Sequence, residues 1–262
     1  MVLDGKKLAR QIREQVKKNI EKDKLKPGLA AILIGKDPGS LVYLSLKRKA
    51  AKKIGIHFRE IALSGKASQK KVLNLIDKLN KNKTIHGIIV QFPLPRHLKP
   101  NPIIKAILPA KDVDGFNPES KFIPPTHQAI LKLLKATNKN LKNKKTLILS
   151  ENPVFADLLA KILQKRGLRC PAKDPRQADV LIVALGKPKI IKPKMVKENS
   201  VVIDVGYTRI RGKPAGDVSP EVQKKVAYLS PVPGGVGPLT VAYLLRNTYL
   251  ACKKTRLQTN KK

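Results

Sequence analysis

At 262 residues, the chain is long enough to bury one sizeable core or two small ones, and its 55 lysines and arginines against 18 acidic residues give a net charge of +37 that attracts anions. The cations are spread along the whole length, aromatics make up 4% and tryptophan is absent, which argues against a base-stacking platform and leaves nonspecific nucleic-acid contact. No apolar run is long enough to span a membrane and no signal-like stretch opens the chain; Cys170 and Cys252 lack metal-ligand spacing, so no membrane, no metal and a cytoplasmic location are expected.

The elements follow in order. Residues 4–20 place Leu8, Ile12, Val16 and Ile20 on one helical face. A strand at 29–34 ends at Gly35. A helix over 40–54 has Ser40 as its expected N-cap and Gly55 as its stop. A strand at 58–63 comes next. Ser68 caps a helix with Val72, Ile76 and Leu79 on one face, and a strand spans 85–90. Helices are expected over 101–108 and 126–137, then a charged linker at 139–145. A second α/β run has strands at 146–149, Val180–Ala184 and 201–205, and a helix at 154–166. A helix over 239–254 and a frayed tail at 255–262 close the chain. Strands alternating with helices predict parallel sheets.

Four segments carry chemistry. Pro231-Val-Pro-Gly-Gly-Val-Gly-Pro-Leu-Thr240 reads as a fixed-shape loop leading into a helix N-terminus, suited to close ligand approach. Tyr43 and Lys47 are four apart and share a helix face, where a desolvated amine suits proton transfer. Gln91 stands at a strand's carboxyl end, where open α/β sheets bind ligands. Lys111-Asp-Val-Asp114-Gly-Phe116 is a turn with two carboxylates and too few oxygen ligands for calcium.

These segments occur in the order found in the bifunctional methylenetetrahydrofolate dehydrogenase/cyclohydrolase family, which the chain resembles over nearly its whole length. The resemblance also takes in Leu3-Asp-Gly near the N-terminus, Val202-Ile-Asp-Val-Gly206 and Gly216-Asp-Val218. It implies an α/β fold of two lobes with a cleft between them: a catalytic lobe (1–125 with the C-terminal helix 239–262) and a Rossmann-like nucleotide lobe (126–238). It implies a one-carbon enzyme serving purine biosynthesis, a homodimer that takes tetrahydrofolate derivatives, polyglutamylated ones among them. Methylene-tetrahydrofolate is oxidised to the methenyl form with NADP or NAD, then hydrolysed to formyl-tetrahydrofolate.

By the same resemblance Lys47 is the acid/base, held by Gln91, with Tyr43 packing on the folate. Asp114 takes the pterin N–H groups, and Val90, Phe92, Pro233, Gly234, Gly235, Val236 and Gly237 line the substrate. Asp112 shapes the turn, and His127 is expected at the surface or in the cleft.

The nucleotide lobe departs from the family pattern. Where the family has a glycine-rich turn with Gly-Arg-Ser, this chain has Ser150, Glu151 and Asn152, shorter and without glycine. The arginine for a ribose phosphate is missing, and Glu151 would repel that phosphate while accepting hydrogen bonds from NAD ribose hydroxyls. Ser150, Glu151, Asn152 and Tyr207 are the expected cofactor residues of a weakened or altered site, and a member that binds no cofactor is a further reading. A cyclohydrolase-only enzyme and a basic RNA-associated protein on a repurposed fold are the alternatives. A short-chain dehydrogenase, which also uses Tyr-x-x-x-Lys, is rejected because residues 1–42 lack its glycine motif.

Overall fold

The computed structural model describes residues 1–259, which form two compact units. The first holds Ala9–Pro125 and the residues from Val241 onward; the second holds Met1–Leu8 and Thr126–Thr240. The division differs from expectation at the N-terminus. Met1–Leu8 belongs with the second unit because Val2 bridges Leu229, the Leu3 N–H donates to Leu229 O and the Leu229 N–H to Met1 O. Residues 139–145 are no boundary either; they lie inside the second unit.

The first unit is built on a parallel sheet ordered β2 (His57–Leu63), β1 (Gly28–Ile34), β3 (Gly87–Val90). The two-residue period of β1 divides the core. Leu29, Ala31 and Leu33 join Val16 and Ile20 of α1 (Gly5–Lys22), Leu44 of α2 (Pro38–Lys53) and Leu244 and Leu245 of α7 (Val236–Thr259). Ala30, Ile32 and Ile34 face Val72, Ile76 and Leu79 of α3 (Gln69–Lys81) and Ile103 of α4 (Pro100–Ala106). Each large aliphatic side chain so buried contributes roughly 1.5–3 kcal/mol.

The N-cap of α2 is Asp37, not Ser40. Pro38 occupies the first turn, and the Asp37 carboxylate accepts the Ser40 N–H at 2.7 Å. Gly55 at φ +78 follows the helix end as expected, and Ser68 caps α3 by accepting the Lys71 N–H. The C-terminal helix is longer than expected at both ends. It starts at Val236, so the loop is 231–235; Gly237 and Pro238 lie in the first helical turn, where a proline costs no hydrogen bond, and Thr240 begins the second. Residues 255–259, expected to fray, are helical; 260–262 lie outside the described residues.

The second unit carries a parallel sheet ordered β4 (Thr146–Ser150), β5 (Val180–Ala184), β6 (Val201–Asp204), β9 (Tyr228–Leu229). It follows α5 (Pro125–Ala136), and α6 (Pro153–Gln164) links β4 onward. From α6 the chain reaches a single bridge, Arg169 beside Lys145, made through Thr146 N–H and Lys144 O. It then crosses to β5, which bonds the opposite edge of β4 through Lys145 O. Pro171, two residues after Arg169 and so at the next ladder position, cannot donate, and the flanking strand goes no further. The hairpin of β7 (Thr208–Ile210) and β8 (Lys213–Ala215), absent from the sequence reading, turns on Arg211 and Gly212 at φ +48 and +78, the backbone of a primed turn. No helix among the described residues is long and apolar enough to cross a membrane.

Candidate active site

In the first unit, Lys47 on α2 meets Gln91, the residue after β3. The Gln91 backbone N–H donates to Ile32 O, extending the ladder by one residue and fixing the side chain's origin. Its Nε2 donates to Phe92 O at 2.8 Å, so its Oε1 must face the other way, and there it accepts from Lys47 Nζ at 2.9 Å. Ser40 Oγ donates to the same Phe92 carbonyl at 3.2 Å, tying α2 to the strand end. Ser40 is therefore a brace for the site rather than a helix cap.

Burial pushes the Lys47 amine below its ordinary pKa; the nearby Asp114 charge works in the opposite sense but is the smaller effect. Burial likewise pushes the Asp114 carboxyl up, with Lys47 opposing. The two groups thus move toward one another, which brings both closer to the range where protons can be exchanged. None of the described residues hydrogen-bonds the Asp114 carboxylate. It lines a recess with Ile88, Val90, Ile107 and Phe116, and with Asp112 as the other carboxylate: a mostly apolar wall around an open acceptor. Phe92 lines the same recess and meets Phe116 edge to face at 6.1 Å. Tyr43 shares the α2 face with Lys47 as the spacing predicts, and it is half-buried.

The turn that presents Asp114 is fixed by Asp112. This carboxylate is 1% exposed and accepts the Asn117 and Gly115 N–H groups at 2.7 and 3.1 Å; burial lifts its pKa to about 6. Gly115 sits at φ +69, and a Cβ there would lie 2.4 Å from Phe122 O. Lys111, unremarked in sequence, donates to Leu79, Asn80 and Asn82 carbonyls and closes the end of α3.

In the second unit, Ser150, Glu151 and Asn152 follow one another out of β4, and Tyr207 stands three residues beyond β6. The N-terminus of α6 is already partly occupied. Asn152 caps it by accepting the Phe155 N–H, Pro153 has no N–H, and Ser150 Oγ accepts the Asn152 N–H. The Glu151 carboxylate accepts from Lys187 Nζ at 2.5 Å, and this partner holds it below its ordinary pKa. Sequence reasoning missed Lys187, because nothing distinguishes one lysine from its many neighbours in the chain.

Pro233, Gly234 and Gly235 form the loop before α7; Val236 and Gly237 begin the helix. Gly234 sits at φ +118, and a Cβ on Gly5 would lie 1.9 Å from Gly235 O, so these glycines serve close internal packing. The structure thus groups Tyr43, Lys47, Val90, Gln91, Phe92 and Asp114 in one unit, and places 233–237 with the cofactor candidates in the other.

The motifs around Gly206 and Gly216 have a structural account. The Asp204 carboxylate accepts the Gly206, Asp217 and Val218 N–H groups, and burial lifts its pKa to about 7. Asp217 in turn accepts from Leu185 and Gly186. A Cβ on either glycine would lie about 2 Å from these carboxylates, at 2.1 Å for Gly206 and 2.0 Å for Gly216. Of the two places expected for His127, the surface is excluded: it is 2% exposed, with Nε2 3.1 Å from Phe155 O and its ring 4.6 Å from that of Phe155.

Comparison with known proteins covers both units. Residues 3–114 match the family model for the tetrahydrofolate dehydrogenase/cyclohydrolase catalytic domain, and residues 124–256 match the NAD(P)-binding domain of the same family. The bifunctional protein FolD of Bacillus pumilus is 39% identical, with 97% of this chain and 98% of that protein covered. The crystal structure of the Campylobacter jejuni bifunctional enzyme FolD superposes with a TM-score of 0.91 at 38% identity, covering 97% and 99% of the two chains. The Trypanosoma brucei enzyme, solved with NADP cofactor and inhibitor, gives 0.89 at 28% identity over 97% and 98%.

Proposed function

The chain belongs to the tetrahydrofolate dehydrogenase/cyclohydrolase family, and on that premise we propose that Lys47, Gln91 and Asp114 carry its chemistry. Its activity is bifunctional: 5,10-methylene-tetrahydrofolate is oxidised to the methenyl form with NAD(P), and the methenyl form is hydrolysed to 10-formyl-tetrahydrofolate. The presence of both domains favours this reading over a cyclohydrolase-only member and over an RNA-associated protein.

The observation that carries the residue assignment is the 2.9 Å contact of Lys47 Nζ with an amide oxygen whose orientation is fixed from behind. In hydrolysis, water adds to the methenyl carbon and loses a proton, which a neutral Lys47 amine accepts. The carbinol then gives up its remaining O–H proton to solvent as its oxygen becomes the formyl carbonyl and the carbon–N5 bond breaks; N5 takes back the proton held by Lys47, and the formyl group stays on N10. Gln91 accepts a hydrogen bond from neutral and charged amine alike, so it holds Lys47 in place through the proton cycle without pinning its charge. The open Asp114 carboxylate takes the pterin's amino and ring N–H groups, two bonds that a carboxylate accepts together. Tyr43, Val90 and Phe92 supply apolar walls.

A bound nicotinamide would accept the hydride of the first step. The second unit fits a dinucleotide by topology, since the chain leaves β4 for one flank and returns on the other, which opens a crevice at the strands' carboxyl ends. The turn out of β4 fits less well. It lacks the glycines and the arginine, so NADP binding weaker than in the family at large is expected, with NAD competing. Folate polyglutamates suit the positive charge, a homodimer follows the resemblance, and the cytoplasm is the proposed location. Nonspecific nucleic-acid contact is expected to disappear as salt is raised. The deciding experiment is a spectroscopic assay with methylene-tetrahydrofolate, run with NADP and NAD in parallel. Turnover with neither, while methenyl-tetrahydrofolate is hydrolysed, would establish a cyclohydrolase alone.

A further inference from the structure

We propose that Lys187 binds the pyrophosphate of the dinucleotide, taking over the task that a helix N-terminus performs in glycine-rich turns; this rests on the reading of the second unit as a dinucleotide site. Three observations lead to it. The first is place. β4 and β5 are adjacent and parallel, with Ser150 paired to Ala184. Glu151 is the first residue beyond one strand and Lys187 the third beyond the other. Their ion pair therefore spans the crevice at the topological switch point, where such sheets bind ligands.

The second is the state of the helix behind it. A pyrophosphate is ordinarily received by free N–H groups in the first turn. Here Pro153 offers none and the Asn152 side chain holds the Phe155 N–H, which leaves Val154 as the first-turn donor. The donors that are lost must be replaced if a dinucleotide is to bind with ordinary strength.

The third is availability. Lys187 and Glu151 side chains are 56% and 59% exposed, and an exposed ion pair is weak and readily exchanged. A pyrophosphate carries more charge than one carboxylate and offers several acceptor oxygens, so it should draw the ammonium from Glu151. The carboxylate then stands free to accept ribose hydroxyls. Glu151 is thus the resting place of Lys187, and the pair lessens the repulsion that Glu151 alone would exert.

The test is calorimetric titration of NAD and NADP, separately, into the wild-type chain and the K187M, E151Q and K161M variants. Lys161, exposed in the last turn of α6, controls for loss of one charge from the general field. K187M should weaken both nucleotides by the same factor, roughly 10- to 100-fold, as for one charge-assisted hydrogen bond. E151Q frees Lys187 but gives up the charged acceptor for the ribose hydroxyls, so NAD should change by no more than about two- to fivefold, while NADP, relieved of the repelling charge, should gain relative to NAD; a loss of both as large as in K187M would overturn the proposal. K161M should change neither. Loss of NADP alone in K187M would make Lys187 a ribose-phosphate contact and overturn the proposal, as would unchanged binding or an equal loss in K161M. If the wild-type chain binds neither nucleotide, the dinucleotide reading itself falls, and this proposal with it.

Discussion

Replacing Asp114 with asparagine separates the electrostatic from the steric contribution of the site. The side chain keeps its shape, loses its charge and turns one acceptor oxygen into a donor. Two consequences follow in opposite directions. The pterin N–H groups lose one acceptor and face an N–H, while the remaining bond falls from charge-assisted to neutral strength. Folate affinity should therefore drop by about 1–3 kcal/mol, or roughly 5- to 150-fold in the dissociation constant. Lys47 meanwhile loses the one charge that raises its pKa, while burial still lowers it. A base must be neutral to act, so the acid limb of the hydrolysis rate should move to lower pH. The assay is the decay of methenyl-tetrahydrofolate absorbance at saturating substrate between pH 6 and 9, scales set by an amine tuned toward neutrality. A limb that stays in place, or moves to higher pH, would refute the coupling of Lys47 to Asp114.

Other outcomes follow from the same geometry. Gln91→Leu should lower kcat by roughly tenfold or more while folate binding changes little, because it frees the Lys47 amine from its fixed partner; Ser40 still holds Phe92 O, so thermal unfolding should be nearly unchanged. Lys111→Met strips a donor from three carbonyls and should cost about 1–3 kcal/mol in urea unfolding; no measurable loss would remove its structural role. Asp204 has a folded pKa raised from 3.8 to about 7, so the folded state binds its proton more tightly. Its contribution to stability is then lost, not gained, as pH rises from about 4 to about 7, up to roughly 4 kcal/mol. Denaturation of wild-type and Asp204→Asn chains across that range should show the difference between them moving in the variant's favour as pH rises, and a constant difference would contradict it.

The first unit was legible because its signals are local and periodic. The alternation in β1 and the 3.6-residue spacing in α3 each name the face they bury; Tyr43 and Lys47 stand on a helix whose end is marked by Gly55, Gln91 at a strand's carboxyl end, and Asp114 in a turn announced by its own Asp-Val-Asp-Gly sequence. What failed was resolution at helix ends. Asp37-Pro38 and Ser40 both suit an N-cap, and the contest was decided by Phe92 O, a partner 52 residues away that claims the Ser40 hydroxyl. His127 could not be placed because its burial depends on Phe155, and Lys187 because its meaning comes from Glu151, 36 residues earlier. The C-terminal helix is expected from Leu239 because prolines and glycines crowd 231–238, yet it starts at Val236 and Pro238 falls in its first turn, where the missing N–H costs nothing.

The central claim is that Lys47 moves the protons. Lys47→Met keeps the length and apolar stem of the side chain and removes only the amine. Hydrolysis of methenyl-tetrahydrofolate by this variant, measured beside folate binding by calorimetry and folding by circular dichroism, tests the claim most directly. Turnover should be lost while binding and fold are retained; hydrolysis near the wild-type rate would contradict the assignment.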